Sequence, residues 1–479
     1  MSQPIVTIGL EVHVQLKTKT KLFSPSPANF GDAPNTNMSI IDMGLPGILP
    51  VLNKEAVVLA IMLSKGLNAK LNKKSIFARK NYFYPDLPKS YQITQDKTPI
   101  IHDGFLEVNG KKIGIERAHL EEDAGKSQHP DGSKNSYVDL NRAGQALLEI
   151  VTRPELTSTE EALAFLKKLH HLVKYIDVCD GNMQDGSFRC DANVSIRYNK
   201  DDPLGTRVEL KNINSFRFVE KAIEYEIQRQ HVMLTNGDKI TQETRLFNES
   251  NGKTFPMRKK ENLADYRYFP EPDLPPVIIS DALIEEALAK LPTLPEVRIE
   301  ELCKEYNLNE AEAALLVDSR ALETFFIGAC QHTKTNNASK VIYNIIFADL
   351  SAYMNKYNLN ISNQPISSTH IADLADNLNN SRISQPMLKE ILKTLWSDNN
   401  QTVEMVIKAK GLELIDDDDA LIGMIKEILV SNPNQHQQYL SGKDKLFGFF
   451  VGQVMKASKG QANPEKVSKL LESLIKESS

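Results

Sequence analysis

Residues Ile8 to Leu16 read IGLEVHVQL, in which Ile8, Leu10, Val12, Val14 and Leu16 alternate with Gly9, Glu11, His13 and Gln15. Strict alternation predicts a β-strand that buries one face and sends Glu11 and His13 to the other. The stretch RCDANVSIRY repeats the pattern, with Cys190, Ala192, Val194, Ile196 and Tyr198 between Arg189, Asp191, Asn193, Ser195 and Arg197. After the turn residues NKDDPLG, TRVELKN places Arg207, Glu209 and Lys211 on one side, so a hairpin with mixed charge opposite an apolar face is expected. A helical period occupies Ala162, Leu166, Leu169, Val173 and Ile176, behind Ser158 and Glu161 at capping-box spacing.

Strand patterns and turn dipeptides dominate up to the proline-rich EPDLPPVII and LPTLPEVR, and helical periods dominate afterwards. The expected class is α+β: a sheet-rich domain over residues 1–292, an all-α domain over 293–405, and a small helical tail over 406–479. Leu302, Ala313 to Val317, Phe325, Val341 to Phe347 and Leu350 supply the apolar content of the middle part, and NISNQPISST reads as a loop between helices. Asp416 to Asp419 reads as a helix start or a solvated face rather than a metal site. Near the end, Asn463 and Pro464 are placed to open a final helix.

Composition narrows the class. At 479 residues, with 57 Lys and Arg against 62 Asp and Glu, the chain can bury more than one core and carries no overall basic excess. Only the tail is mildly basic: residues 441–479 hold seven Lys and four acidic residues, with Lys456 and Lys459 as candidate RNA contacts. The four cysteines, Cys179, Cys190, Cys303 and Cys330, show no CxxC spacing, which argues against a disulfide framework and fits a reducing, cytoplasmic setting. The first residues lack an export signal, and no apolar run is long enough to span a bilayer, so a soluble protein without a membrane partner is expected.

Charged faces suggest chemistry on phosphate. Carboxylates hold divalent cations while Arg and Lys neutralise phosphate oxygens, and the predicted hairpin carries both. HLEEDAGK adds Glu121, Glu122 and Asp123, and DLNRAGQALLEIV sets Glu149 between Leu148 and Ile150. An acid in such an apolar run needs a partner, either a cation or metal or an arginine such as Arg142. ARKNYFYPDLPKSYQITQ interleaves Arg79, Lys80 and Lys89 with Tyr82, Phe83, Tyr84 and Tyr91, a mixture suited to phosphates and to stacking on bases. Gly125-Lys126-Ser127 and Gly252-Lys253-Thr254 imitate the end of a P-loop, but Leu120 and Phe247 occupy the required glycine positions. Neither HExxH nor a nucleophile elbow occurs.

Eight stretches, IGLEVHVQL, ARKNYFYPDLPKSYQITQ, HLEEDAGK, NRAGQALLEIV, GSFRCDANVSIR, VELKNINSFRFVEKAIEYEI, DYRYFPEPDLPP and FFVGQVMKASKGQANP, resemble in order the motifs of the B-subunit family of tRNA-dependent amidotransferases. The resemblance implies a cradle-shaped catalytic domain, a helical domain and a tail that touches tRNA. It implies ATP-dependent amidation of Glu-tRNA(Gln) or Asp-tRNA(Asn) through an acyl phosphate, with ammonia supplied by the glutaminase A subunit and with a small C subunit as a further partner. Carried over residue by residue, it makes Glu11, His13 and Glu149 catalytic and sets Glu11, His13, Glu122, Glu149, Asp191 and Glu209 around Mg²⁺. Arg79, Lys80, Lys89, Arg189, Lys211 and Arg217 become contacts for nucleotide or tRNA phosphates. Where many members of the family carry two cysteine pairs for zinc, this chain has Ser24, Ser26, Ser39 and Asp42, so structural zinc is not expected. Two other functions suit the same charges, a metal-dependent phosphohydrolase or nuclease and a noncatalytic tRNA-binding adaptor.

Overall fold

In the computed structural model, the described residues are 3–130, 132–257, 266–415, 417–441, 443, 445–458 and 460–477. The chain divides into two compact units, residues 1–295 and 296–479. The first is built on a twelve-stranded sheet. Its strands are β1 (Ile5–Gln15), β2 (Lys70–Leu71), β3 (Phe77–Asn81), β4 (Tyr91–Gln95), β5 (Ile101–Val108), β6 (Lys111–Glu122), β7 (Ala146–Thr152), β8 (Phe188–Arg197), β9 (Val208–Lys211), β10 (Glu243–Asn248), β11 (Lys253–Pro256) and β12 (Phe269–Pro270). The order is β11-β10-β9-β8-β1-β7-β6-β4-β3-β12, with β5 also on β6 and β2 on β5. Among the described strands of this sheet, only β9 and β10 run parallel.

The alternation in β1 is realised as a buried face: Ile8, Leu10, Val12 and Val14 are wholly inaccessible to solvent. Each such side chain contributes about 1.5–3 kcal/mol of burial free energy. Helices cover this side. In α2 (Thr159–Tyr175), His170 meets Phe188 of β8 edge-on at 5.1 Å, and in α3 (Phe216–Thr235) Gln230 Nε2 donates to Val194 O at 3.1 Å. Gly66, at the end of α1 (Lys54–Gly66), lets α1 approach α2: a Cβ there would lie 2.9 Å from Leu172 Cδ1. Ser158 accepts from Glu161 N as the cap of α2, but the Glu161 carboxylate turns to Thr157 N and Lys111 instead of closing the reciprocal box. With helices on the apolar side, the other side of the sheet presents Glu11, His13 and their cross-strand neighbours.

The second unit carries helices from Pro295–Tyr306 to Pro464–Glu477. Leu302, Ala313, Leu316, Val317, Ile342, Ile345, Ile346 and Leu350 are buried as their periodicity requires, and Phe326, rather than its neighbour Phe325, enters the core. Helices Asp418–Ser431, Leu446–Ala457 and Pro464–Glu477 share an apolar cluster of their own, including Leu421, Ile425, Phe450, Val454 and Leu471. Asp417 caps the first of them through Asp419 N, while Asp416 lies outside the described residues. Asn463 Oδ1 accepts from Glu465 N at 3.0 Å and caps the last. Among the described residues, no helix is long and apolar enough to cross a membrane.

Candidate active site

Strand β1 lies between β7 and β8, and the two registers decide which side chains meet. His13 stands opposite Glu149 on β7 and Arg189 on β8; Glu11 stands opposite Val151 and Asp191. Glu149 is in turn opposite His119 of β6. These cross-strand rows assemble two adjacent acidic groups on the face away from the helices.

In the first group, His13 Nε2 lies 3.3 Å from Glu121 Oε1 and 3.3 Å from Glu149 Oε2. His119 Nε2 closes a square, 3.5 Å from Glu121 Oε2 and 3.4 Å from Glu149 Oε2. Burial alone would neutralise both imidazoles, but hydrogen bonds to the two carboxylates prevail; His13 is pushed up to about 10 and His119 is raised as well. Burial would also raise Glu121 and Glu149, yet the histidines hold both far below the ordinary carboxylate range. Oxygen or nitrogen atoms of His13, Glu121 and Glu149 all fall within 4.8 Å of one another.

In the second group, Glu11, Asp191 and Glu209 bring one oxygen each within 4.8 Å of the others. Lys211 Nζ bridges Asp191 and Glu209, the latter at 3.0 Å, and Thr244 Oγ1 donates to Glu209. Its carboxylate neighbours hold Lys211 above the usual ammonium value despite burial. Glu11 is raised by burial and then by Glu149, against the hydrogen bond it accepts from Asn193 Nδ2 at 2.9 Å. Three carboxylates in one group, and two plus an imidazole in the other, are donor sets for a hard divalent cation such as Mg²⁺. With its pKa pushed up to about 10, His13 places positive charge among these carboxylates, as does the Lys211 ammonium.

Of the expected ligands, Glu11, His13, Glu149, Asp191 and Glu209 converge here, and Glu122 does not. Alternation along β6 puts His119 and Glu121 on the acidic face and Glu122 on the reverse, where it accepts from Ile93 N at 2.9 Å and pairs with Lys89 Nζ. Glu121 therefore takes the place expected for Glu122, and His119 was missed; HLE repeats the two-residue spacing of EVH and signals both. Glu149 meets histidines, since Arg142 is spent on Asp123 and on the Ala124 and Gly125 carbonyls.

The expected phosphate contacts divide. Lys211 sits in the second group, and Arg189 stands beside His13 with Nη2 2.9 Å from Asp123 Oδ2. Lys80 lies on the acidic face, its pKa raised by Glu121 and Glu149 against burial. Arg79 points the other way and is tied to buried Glu271 by two bonds of 2.7 and 2.8 Å. Lys89 is likewise spent on Glu122, and Arg217 is exposed in the first turn of α3 without a described contact to either group. Lys456 is exposed at the end of its helix; Lys459 lies outside the described residues.

Ser24, Ser26, Ser39 and Asp42 do converge, but not on zinc chemistry. Asp42 accepts from the hydroxyls of Ser24 (2.9 Å), Ser26 (2.6 Å) and Ser39 (3.0 Å) and from Ser39 N (2.8 Å). The fully buried Lys21 places Nζ 3.6 Å from the same carboxylate. With neither thiolate nor imidazole, and an ammonium beside the one acid, this set does not fit Zn²⁺.

A family model described as the GatB/GatE catalytic domain matches residues 6–285, and one described as the GatB domain matches residues 324–475. The chain is 48% identical over 469 residues to the B subunit of the aspartyl/glutamyl-tRNA(Asn/Gln) amidotransferase of Halorhodospira halophila, covering 97% of each chain. It is 47% identical to the protein of that name from Nitrosococcus oceani and 48% to that from Coxiella burnetii, covering 97% of this chain and 98% of theirs in both cases. Matches of this identity along nearly the whole length settle its kinship, and the chain belongs to the family of aspartyl/glutamyl-tRNA(Asn/Gln) amidotransferase B subunits.

Proposed function

We propose that the acidic face of the sheet converts the side-chain carboxylate of Glu or Asp, esterified to tRNA, into an amide at the expense of ATP. The carboxylate is anionic and lacks a leaving group. Its oxygen attacks the γ-phosphorus of ATP and ADP departs; ammonia then attacks the acyl carbon of the acyl phosphate and phosphate departs. Ammonia comes from a glutaminase partner, the A subunit, with the small C subunit completing the assembly. The single observation carrying this reading is the pair of adjacent ligand groups, His13/Glu121/Glu149 and Glu11/Asp191/Glu209, on one sheet face.

Mg²⁺ bound there supplies charge neutralisation to phosphate oxygens. Glu11, Asp191 and Glu209 would hold one ion and His13, Glu121 and Glu149 another. Lys211, Lys80 and Arg189 supply fixed positive charge for phosphoryl oxygens, and Asn193 and Thr244 orient Glu11 and Glu209. The tail contact through Lys456 and Lys459 belongs to the same reading.

The test is to combine the chain with its partner subunits, ATP, Mg²⁺, glutamine and Glu-tRNA or Asp-tRNA. Amide formation coupled to ATP cleavage is expected. ATP or RNA hydrolysis without amide would replace the reading with a phosphohydrolase, and tRNA binding alone would replace it with an adaptor.

A further inference from the structure

We propose that Tyr84, Tyr82, Tyr266 and Tyr268 form a stacking track for the unpaired 3′ acceptor end of tRNA, a proposal that rests on the transamidation reading above. The four rings make a continuous series from two segments far apart in sequence. Ring centroids are 6.0 Å apart for Tyr82 and Tyr84, 6.2 Å for Tyr82 and Tyr266, and 5.9 Å for Tyr266 and Tyr268, each pair edge-to-face. In each such contact the edge of one ring packs on the face of the next, which fixes the series while leaving the opposite faces for other partners. Tyr84 is 65% exposed, Tyr268 42%, and Phe83 beside them 80%, a concentration of solvent-facing aromatics that no core requires.

The track is pinned. Asn81 N and Nδ2 both donate to Tyr266 O, at 3.0 and 2.9 Å, and Nδ2 reaches Arg267 O at 3.0 Å, where the chain turns through φ +46°. Asn81 is thus a positioning residue that brings Tyr266 and Tyr268 to the end of β3.

The track also carries a cation. Lys80 Nζ lies 5.0 Å from the Tyr266 centroid and 5.9 Å from that of Tyr82. No carboxylate lies within ion-pair distance of Lys80 among the described residues. Lys80 shares its sheet face with Thr94 of β4, which donates to Glu121 Oε2 at 3.3 Å, so the track runs beside the first ligand group. Partly exposed rings, a cation among them, and a phosphoryl-transfer site on the same sheet face describe an occupant with flat faces and phosphates that must reach the acids. Paired bases are already stacked on both faces; the unpaired acceptor end, which carries the ester to be amidated, is not.

The experiment uses the assembled enzyme and misacylated tRNA whose terminal adenine is replaced by 2-aminopurine. Wild type should quench the probe on binding. Tyr84→Ala and Tyr266→Ala should each restore fluorescence and raise KM for tRNA by about 5- to 150-fold, as expected for the loss of one stacked base, while the partner's glutaminase turnover is unchanged. Tyr266→Phe, which keeps the ring, should behave as wild type and controls for misfolding. Unchanged quenching with a KM shift below twofold would overturn the track. So would loss of co-purifying partner subunits with normal quenching in the complex that remains, since the rings would then belong to a protein interface. Glu121→Gln, run in parallel, separates the two readings: intact amidation there overturns the proposed reaction, whereas the probe still reports on the track.

Discussion

Asp42→Ala tests whether a buried carboxylate organises the segment from Ser24 to Asp42. The change removes the shared acceptor of three serine hydroxyls and one amide, and strands Lys21, whose side chain has no solvent exposure, without its counter-charge. Breaking a buried ion pair from one side costs about 3–5 kcal/mol, and serine hydroxyls that re-pair with one another return part of the hydrogen-bond loss. A destabilisation of about 3–5 kcal/mol is therefore expected for the sheet unit, with Lys21→Met recovering part of it in the double variant. Urea unfolding followed by far-UV circular dichroism reads this directly. The sole tryptophan, Trp396, lies in the second unit, so its fluorescence is an internal control. A loss below about 1 kcal/mol, or a wild-type midpoint that shifts when a zinc chelator is added, would show that the Asp42–Lys21 pair does not hold this segment. The converse also follows: Ser24→Cys, Ser26→Cys, Ser39→Cys and Asp42→Cys together should create a Zn²⁺ site, because the four side chains already meet at one point.

Glu121→Gln should lower Mg²⁺-dependent amidation at least about 100-fold, while Glu122→Gln should leave turnover within about tenfold and chiefly lower stability; kcat with the assembled enzyme and urea midpoints tell them apart. His13→Ala should abolish amidation and leave the partner's glutaminase active, and full amidation would remove His13 from the site. Arg79→Lys keeps the charge but loses the bidentate tie to buried Glu271, and should destabilise the sheet unit by about 1–3 kcal/mol without a matching rise in the KM for ATP. In the metal-free chain, the first ligand group gives a stability with two edges. Glu121 and Glu149 are depressed, so their contribution is present above the ordinary value of 4.5 and is lost as pH falls. His13 is raised, so its contribution is present below 6.5 and is lost as pH rises through about 10. Urea midpoints in EDTA should accordingly be higher at pH 5.5 than at pH 9, and the opposite order would exclude the His13 pairing.

Much of this was legible in sequence because it is local. Alternation gave the buried face of β1 and the polar face of β8, and capping residues opened α2 and the last helix. What sequence left ambiguous depends on register between distant strands. HLEEDAGK offers two adjacent glutamates, and only the phase of β6 against β7 decides that Glu121 faces the histidines. Arg79 looked like a phosphate ligand because its partner, Glu271, lies 192 residues away. The serine and aspartate cluster shows the reverse case: Ser24, Ser26, Ser39 and Asp42 were legible as residues that belong together, and the structure joins them by hydrogen bonding around an ion pair with Lys21.

The two ligand groups share a strand, and this ties the fold to the chemistry. Glu11 and His13 are successive outward residues of β1, about 6.6–6.8 Å apart along the strand, and each supplies one group. The two groups are therefore offset along the sheet by one outward step of the backbone. A one-residue slip of β1 would send Leu10, Val12 and Val14 into the acids and bury Glu11 and His13 under the helices. The wholly buried apolar face of β1 thus selects the register that the acids require. Inserting one alanine between Glu11 and Val12 should therefore remove amidation through both groups at once, because either the Glu11 half or the His13 half of the strand must turn over unless a bulge absorbs the extra residue. Amidation retained by such a variant would show that the two groups act independently of the strand joining them.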